Sequence, residues 1–593
     1  MPSPITMLQG IASDRGLPVF RRVSALRAAA HLLVWLPFVF AAARSVASGW
    51  RPVSDNAAIA LRSWDVLTAH APLVGQATRL AGGVYDLGPL QYWLLTVPVH
   101  VDPLHGVLWG AALWCMVAAS LTIEGAWAAA GRLGGLLATA IVLGALAWIP
   151  AITLLPCWNP WFGLMFFLAA FAGGAATLSG HPGWWPVVVI AGSIAAQAHL
   201  MFTVTVVVLV VLCLAVGLVE TYRAKARYTW AVVGSVAALA CWIAPLIQQF
   251  GSGTGNFTAL ASGRGAPGPH GGLAFGLRAL AASAQPPPIW WRPLTSLAKL
   301  SVIDERTVPA GAGVLALAVV ALAVAAYPLR SRRAIALAAL SLTAAATVAY
   351  TYGHIPTLTI RMTTSGLGNL RYLMAPTYLV GVLAWLTTGT ILVLAGRQAV
   401  ERVKSRDMAR WNHATSAAPR VGGVPWAAPA LAIAAVAVIG LAAPAGTEIA
   451  GASISQIKAM RAVGIAAQRI EQAIPRRRLA LSVRAATTPR RRQVTYGLVY
   501  ALQTAGYRPE ISKWSWALQL GRGYLFSGRP MTHVTVLIRG SGLSVLWRHE
   551  GAAERGSLRP SAWTPSPSTR TRGMGSGPAG RFRSAASRPG RWP

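Results

Sequence analysis

Apolar residues occur in this chain as long continuous runs separated by short polar loops. The runs do not alternate polar and apolar positions, so they predict helices and not the strands of a membrane barrel. A helix needs about 20 predominantly apolar residues to cross the hydrocarbon layer. By that measure we predict an α-helical integral membrane protein with about eleven spans, at residues 28–48, 104–123, 133–152, 160–178, 186–199, 201–219, 229–248, 310–328, 334–350, 372–396 and 426–446.

The pattern changes after residue 446. Residues 453–473 and 490–505 have a helical period, whereas 479–484 and 533–539 resemble strands, so a small α/β domain is predicted over 447–547. Residues 548–593 lose all hydrophobic period and predict a disordered basic tail, with an out-of-frame terminus as the alternative. The two remaining predicted domains are a cytoplasmic segment at 1–27 and a polytopic domain at 28–446, which carries an outer loop at 49–89.

Composition supports the membrane assignment and excludes one soluble core. The 593 residues are 54% hydrophobic and only 11% charged. The formal net charge of +36 would suggest a nucleic-acid partner in a soluble protein. Here the basic residues lie mainly in short loops and in the last quarter of the chain, so membrane orientation explains them better and no nucleic-acid partner is predicted. The four cysteines show no metal-binding spacing and predict buried, small apolar side chains.

The basic clusters predict the orientation of the chain. Residues 223–227, 330–333 and 397–410 carry them, and the positive-inside rule assigns all three to the cytoplasm together with the N-terminus. For all three clusters to lie in the cytoplasm, residues 186–219 must form two helices, with a turn near Gln197-Ala198-His199. Residues 49–89, the turn at 157–160, and residues 251–309 and 351–371 then lie outside and could form one site. We therefore predict a multi-pass protein of a bacterial plasma membrane with an extracytoplasmic C-terminal domain.

Acidic residues stand near both ends of the outer loop. Ser54-Asp55-Asn56 follows the first span, and Asp86 lies in a turn before Gly88-Pro89. Ser54 is the predicted N-cap of a short helix, with Asp55 in the first turn, where the helix dipole favours a carboxylate. A capped helix would also hold Asp55 rigidly enough to act as a general base. An ordinary turn residue is the alternative for Asp86.

A sugar transfer from a phosphate-linked donor needs a base for the acceptor hydroxyl and a positive charge or a metal for the departing phosphate. Arg371, beside Tyr372 at the outer end of a span, is the candidate for the phosphate; a snorkelling interfacial arginine is the alternative. Arg62 is a weaker candidate in the outer loop. His199, predicted at membrane depth, could line the donor groove or pack as a hydrogen-bonded histidine.

This arrangement resembles the GT-C superfamily of polytopic glycosyltransferases, in particular the protein mannosyltransferase and aminoarabinose transferase group. The resemblance covers roughly residues 28–400 and rests on short motifs: Ser54-Asp55-Asn56, Tyr85-Asp86-Leu87-Gly88-Pro89-Leu90-Gln91-Tyr92, Trp158-Asn159-Pro160, Gln197-Ala198-His199 and Arg371-Tyr372-Leu373. It implies a polyprenyl-phosphate sugar donor and Asp55 as the catalytic base. The family often has a second acid directly after the first. Asn56 occupies that position here, which puts a metal role at the motif in doubt, and Asp86 could serve as the second acid.

We therefore predict a membrane glycosyltransferase that moves a sugar from a polyprenyl-phosphate donor to an envelope glycan, lipid or protein on the extracytoplasmic face. Asp55 and Asp86 are the catalytic candidates, Arg371 and Tyr372 would bind the donor phosphate, and the substrate-binding candidates are Asn56, Arg62, Asn159 and His199. No metal ligand is predicted, although a divalent cation could assist. The alternatives are an envelope-lipid flippase and a catalytically inactive binding protein of the same fold.

Overall fold

The structure is a computed structural model that describes residues 25–77, 84–148, 157–251, 255–262, 268–284, 309, 311–316, 318, 332–357, 376, 379–386, 454–473, 480–485, 491–511, 520–521, 524, 532–539, 542–549 and 555–558. Helices dominate the part before residue 454. They are α1 (Ala25–Ala47), α2 (Ser54–Asp65), α3 (Leu90–Val101), α4 (Gly106–Trp148), α5 (Asn159–Leu178), α6 (Trp185–Ala198), α7 (Thr203–Arg223), α8 (Thr229–Gly251), α9 (Asn256–Ala261), α10 (Gly272–Ala284) and α11 (Arg332–Gly353).

Six helices in these described ranges are long and apolar enough to cross a membrane, which makes the chain a multi-pass membrane protein. They are Ala25–Ala47, Gly106–Leu146, Asn159–Leu178, Leu200–Arg223, Thr229–Gly251 and Ile335–Gly353. The predicted span at 426–446 and most of those at 310–328 and 372–396 lie outside the described residues, so the count of eleven stays a prediction.

The longest helix contains the first of two breaks that the sequence predicted. The 43 residues of α4 would extend for about 65 Å, twice the hydrocarbon thickness, if they formed one straight rod. Gly131 interrupts α4 with φ +67° and ψ −149°, a conformation that glycine adopts without steric cost. The second break separates α6 from α7, where the chain makes a 3-10 turn at Leu200–Phe202. The predicted turn near His199 is confirmed.

The apolar core of the bundle is built around α5. Every residue of α5 except Ala175 is buried, and the helix packs against α4, α6, α7 and α11. By contrast, α1 and α8 leave apolar side chains such as Phe40, Val236 and Phe250 exposed, as helices that face lipid do. An ion pair ties α1 to the bundle, because Arg27 and His31 both contact the carboxylate of Glu124 on α4.

The C-terminal part contains two helices and a five-stranded sheet. The helices are α12 (Ile454–Ala473) and α13 (Arg491–Thr504), and the strands are β1 (Ala480–Ala485), β2 (Arg508–Glu510), β3 (Thr532–Arg539), β4 (Gly542–His549) and β5 (Arg555–Leu558). The sheet order is β2-β1-β3-β4-β5. Strand β1 is parallel to both β2 and β3, whereas β4 is antiparallel to its two neighbours, β3 and β5.

Helices α12 and α13 and strands β1 and β3 match the predicted elements to within a residue or two, whereas β2 and β4 were not predicted and the sheet extends past the predicted boundary. Strand β4 ends at His549, and β5 lies within the segment that we predicted to be a disordered tail. The reason is that β5 gains backbone pairing with β4, from Val545↔Leu558 to Arg548↔Arg555, which needs no hydrophobic period in its own sequence.

The contact between α4 and α5 depends on a glycine. A Cβ added at Gly125 would lie 2.7 Å from the carbonyl carbon of Ala172, a backbone atom that cannot rotate away. We expect Gly125→Ala to lower the stability by about 1–3 kcal/mol through overpacking, measured as a lower unfolding temperature in detergent. Gly251→Ala is the matched control, because a Cβ at Gly251 would have nothing within 4 Å. Equal unfolding temperatures for the two variants would contradict the close helix contact.

Candidate functional site

The second acidic motif ends in a buried carboxyl group. Asp86 is only 6% exposed. Its Oδ2 accepts a hydrogen bond from Nδ2 of Asn159 at 2.9 Å, and its Oδ1 accepts one from the backbone N–H of Leu200 at 3.3 Å. Its own backbone is fixed as well, since Gly75 N–H donates to its carbonyl and its N–H donates to the carbonyl of Gln76, each at 2.9 Å. Asp86 thus joins the outer loop to α5 and to the turn that follows α6.

This burial changes the protonation of Asp86. Desolvation raises the pKa of the carboxyl to about 8, although the hydrogen bonds from Leu200 and Asn159 partly oppose the shift. Asp86 therefore holds its proton at neutral pH. In that state it is a neutral hydrogen-bonding group and not a ready base or metal ligand, so its role differs from that of an ionised carboxylate.

Asn159 and Asn256 bring three of the four predicted outer stretches together. Asn159 donates through Nδ2 to Asp86 and also to the carbonyl of Ala198 at 2.8 Å, so its amide nitrogen is used within the protein. Asn256 accepts a hydrogen bond from Tyr85 N–H and donates to the carbonyl of Tyr85, both at 3.0 Å. Residues 49–89, the turn at 157–160 and the start of 251–309 therefore meet around Asp86, as the sequence predicted.

The turn after α6 approaches the same loop closely. Gln197 accepts a hydrogen bond from Leu90 N–H at 3.3 Å and donates to the carbonyl of Cys241 at 2.7 Å. A Cβ at Gly88 would lie 2.1 Å from Oε1 of Gln197, so only glycine fits there. His199 accepts a hydrogen bond through Nδ1 from Met201 N–H at 3.3 Å, which matches the packing alternative; a role for His199 in substrate binding stays a prediction.

The first acidic motif lies at the start of α2, but its predicted cap is wrong. Helix α2 begins at Ser54 with Val53 as N-cap and without a side-chain capping hydrogen bond. Ser54 has φ +54°, a left-handed conformation that differs from the extended one of a capping serine. Asp55 occupies the first turn as predicted and is buried, and Asn56 next to it is half-buried. The helix dipole favours the Asp55 carboxylate at this position.

The other end of α2 carries a buried ion pair. Nη1 of Arg62 lies 3.1 Å from Oδ2 of Asp65, and the two side chains are 14% and 3% exposed. The hydroxyl of Tyr524, which belongs to the C-terminal part, donates to Oδ1 of Asp65 at 2.8 Å. Burial raises the pKa of Asp65 to about 6, while Arg62, Tyr524 and the nearby His70 oppose the shift.

Tyr92 on α3 connects the two acidic motifs. Its phenol is buried, which raises its pKa, and it lies within the electrostatic reach of Arg62, Asp86 and Asp55. Helices α2 and α3 pack together, with the Thr96 hydroxyl bonded to the Ser63 carbonyl. The structure thus brings both candidate acids and Arg62 around one tyrosine.

Arg371 and Tyr372 lie outside the described residues. Within the described ranges there is no group of three or more His, Cys, Asp or Glu side chains that could hold a metal ion. Participation of a divalent cation stays a prediction.

Sequence reasoning missed several residues of the site. Asp65 could have been recognised from its i,i+3 spacing to Arg62 on a predicted helix. Tyr92 was part of a quoted motif but had no assigned role, and Asn256 lay in a loop that was predicted only as outer sequence. Tyr524 had no usable signal, because its contact with Asp65 spans 459 residues.

Comparisons with known proteins were made for the whole chain. No family model matches it, and no curated protein matches it. Among solved structures, ArnT from Cupriavidus metallidurans in the apo state is 14% identical with a TM-score of 0.43, covering 86% of this chain and 92% of that chain. The Archaeoglobus fulgidus oligosaccharyltransferase in complex with Zn and sulfate is 11% identical with a TM-score of 0.30, covering 84% of this chain and 68% of that chain.

The protonation of Asp86 makes stability depend on pH. The folded carboxyl keeps its proton up to about pH 8, whereas the unfolded one loses it near 3.8. Its stabilising contribution is therefore fully present below pH 4 and is lost as the pH rises through 8. The variant Asp86→Asn carries an amide that cannot ionise, so between pH 6 and 9 we expect the unfolding temperature of the wild type to fall relative to that of the variant.

Asp102→Asn is the control for this measurement. Hydrogen bonds from the backbone of His105 and the indole of Trp109 hold the pKa of Asp102 below its usual value despite partial burial. Asp102 is therefore ionised in both folded and unfolded chains throughout the range. The imidazole of His105 lies 3.5 Å from Asp102, so the control is read above about pH 7.5, where a histidine is neutral and the difference from the wild type should not change with pH. Parallel curves for wild type and Asp86→Asn would refute the proton on Asp86.

Proposed function

We propose that this protein is a membrane glycosyltransferase that moves a sugar from a polyprenyl-phosphate donor to a cell-envelope glycan, lipid or protein. The observation that carries the proposal is that Asp55, Asp86 and Arg62 all lie near enough to the buried phenol of Tyr92 on α3 to interact with it electrostatically. Such a site has a carboxylate that can accept the proton of an acceptor hydroxyl and a guanidinium that can bind a phosphate. The resemblance of the motifs to the GT-C superfamily supports the same reaction class.

Asp55 is the general base of the proposed reaction. It takes the proton of the acceptor hydroxyl while that oxygen forms a bond to the anomeric carbon of the donor. The bond from the anomeric carbon to the phosphate oxygen breaks, and its electron pair leaves with the polyprenyl phosphate. A single displacement of this kind inverts the anomeric configuration. Asp55 lies in the first turn of α2, the end of a helix that carries partial positive charge.

Asp86 has a different part in this proposal. Being buried and protonated at neutral pH, it would hold the outer loop, α5 and the turn after α6 in one arrangement, and would not compete with Asp55 for the acceptor proton. Asn159 supports it directly. In this proposal, Asp86 stands in for the second acid that the family often has beside the first, but it is a neutral group that holds the surrounding elements in place.

Positive charge for the departing phosphate comes from Arg62 in this proposal, together with Arg371 and Tyr372, as predicted from the sequence. A guanidinium can donate two parallel hydrogen bonds to phosphate oxygens. Arg62 keeps further N–H groups beyond the Nη1 contact with Asp65, because guanidinium has five donors. Asn56 would contact the acceptor.

The proposed site faces the outside of a bacterial plasma membrane, with the N-terminus in the cytoplasm. This orientation rests on the basic clusters at 223–227, 330–333 and 397–410. The C-terminal part, residues 447–547 with the added strand β5, would then lie on the side where envelope acceptors are found. Its contacts with α2 support that placement, since Tyr524 reaches the helix that carries Asp55.

Removal of the base tests the proposal. The purified protein is reconstituted in vesicles with radiolabelled polyprenyl-phosphate sugars and extracted envelope acceptors, and transfer of label is measured. We expect Asp55→Asn to lower the rate by about 10²- to 10⁴-fold, the usual contribution of a general base.

Glu220→Gln is the matched control, because Glu220 lies near the far end of α7, about 25 Å along that helix from its start beside the site. It should transfer at the wild-type rate. Equal transfer by Asp55→Asn and wild type would refute Asp55 as the base. Translocation of the lipid without any transfer by the wild type would favour the flippase alternative.

A further inference from the structure

The C-terminal part encloses the arginine end of α2. Helix α13 packs directly against α2, and α12 packs against α13. A Cβ at Gly497 of α13 would lie 2.9 Å from the carbonyl of Pro52, just before α2, so the two segments approach at backbone distance. The hydroxyl of Tyr500 also donates to the carbonyl of Pro103 at 2.6 Å. Two tyrosines, Tyr500 and Tyr524, thus tie the C-terminal part to the loops and helices of the site.

Arg62 is held from two sides by this contact. On one side its Nη1 pairs with Asp65, whose other oxygen accepts the Tyr524 hydroxyl. On the other side the guanidinium lies against the backbone of Gly521, where a Cβ would be only 2.2 Å from Nη1. The backbone of Tyr524 is fixed in turn, because Ile511 N–H donates to its carbonyl at 2.8 Å.

We propose that Tyr524 is a positioning residue that orients Arg62 through Asp65, so that the guanidinium points towards the site around Tyr92. The proposal rests on the proposed function, in which Arg62 helps to bind the donor phosphate. The hydrogen bond from the Tyr524 phenol to one oxygen fixes the orientation of the Asp65 carboxylate. Because Arg62 is bound to the other oxygen, the direction of its guanidinium is fixed as well. Without the phenol, the Asp65 carboxylate loses a hydrogen bond that stabilises its ionised form, and Arg62 keeps its direction only while Asp65 is ionised.

The orientation of Arg62 requires ionised Asp65, so the proposal predicts that this orientation is lost when Asp65 is protonated at low pH. The titratable and charged groups that face Asp65 in the described chain are Arg62 on its own helix, His70 in the following turn and Tyr524 in the C-terminal part. Burial raises the pKa of Asp65 to about 6, and the hydrogen bond from Tyr524 is one of the contacts that limit the rise. Removing the Tyr524 hydroxyl should therefore raise the pKa further and move the loss of Arg62 orientation to higher pH.

The variant Tyr524→Phe removes this hydroxyl and keeps the ring. Tyr500→Phe is a closely matched control, because it removes another buried tyrosine hydroxyl from the same interface but one that is bonded to a backbone carbonyl and not to Asp65. A general loosening of the C-terminal part would affect both variants alike.

The experiment measures transfer from the polyprenyl-phosphate sugar as kcat/KM between pH 5 and 8 for the full chain in vesicles. For Tyr524→Phe we expect the acid limb of the profile to move up by about half to one pH unit, with a rate about 3- to 10-fold lower at pH 5, about 1.5- to 3-fold lower at pH 6.5 and close to wild type at pH 8. Tyr500→Phe should keep the wild-type limb. A uniform loss across the pH range, or the same profile for Tyr524→Phe and Tyr500→Phe, would overturn the positioning role.

A second measurement separates this proposal from the proposed function. If the wild type transfers no sugar, the proposed function fails, and binding of a fluorescent polyprenyl phosphate to the same variants is measured across the same pH range. A shifted binding profile for Tyr524→Phe alone would support the positioning role without catalysis. An unshifted profile, or a wild type that does not bind the lipid phosphate, would overturn it.

Discussion

The burial of Asp86 is the constraint on which the rest of the site depends. A carboxyl group can be buried only if it is protonated or well hydrogen-bonded, and Asp86 meets both conditions through Asn159 and the Leu200 amide. To supply these partners, the outer loop must lie against the start of α5 and the end of α6. Gly88 allows that approach, because a larger residue would collide with Gln197. One buried acid thus fixes the relative position of the elements that carry the remaining polar groups.

Helix α2 depends on a second constraint, which the C-terminal part supplies. An Arg–Asp pair at i,i+3 on an exposed helix contributes only a few tenths of a kcal/mol. Here the pair of Arg62 and Asp65 is enclosed by Gly521 and Tyr524, so that water competes less and the geometry is fixed. The helix that carries Asp55 is therefore held at both ends, by α3 beside it and by the C-terminal part over its last turn.

Sequence patterns predicted the local structure well and the contacts poorly. The ends of α12, α13, β1 and β3 lie within a residue or two of the predicted ones, because hydrophobic period is a local property of the chain. The partners of Asp86, however, lie 73 and 114 residues away, and no local pattern specifies which distant amide a buried acid will find. The wrong prediction of a cap at Ser54 also shows that a local sequence pattern does not determine the structure. Its sequence favours a cap, but its backbone is left-handed.

The buried ion pair on α2 also implies a thermodynamic link between docking and binding. Burying two charges costs several kcal/mol in desolvation, and apolar residues of similar volume would often be equally or more stabilising. Stability alone therefore does not account for Arg62 and Asp65 at an interface. If an anion that contacts Arg62 binds differently to the docked and undocked states, linkage requires docking of the C-terminal part to change the affinity for that anion by the same factor. The contact of Tyr524 with Asp65 is where these two equilibria would be coupled, because it joins the C-terminal part to the carboxylate that pairs with Arg62.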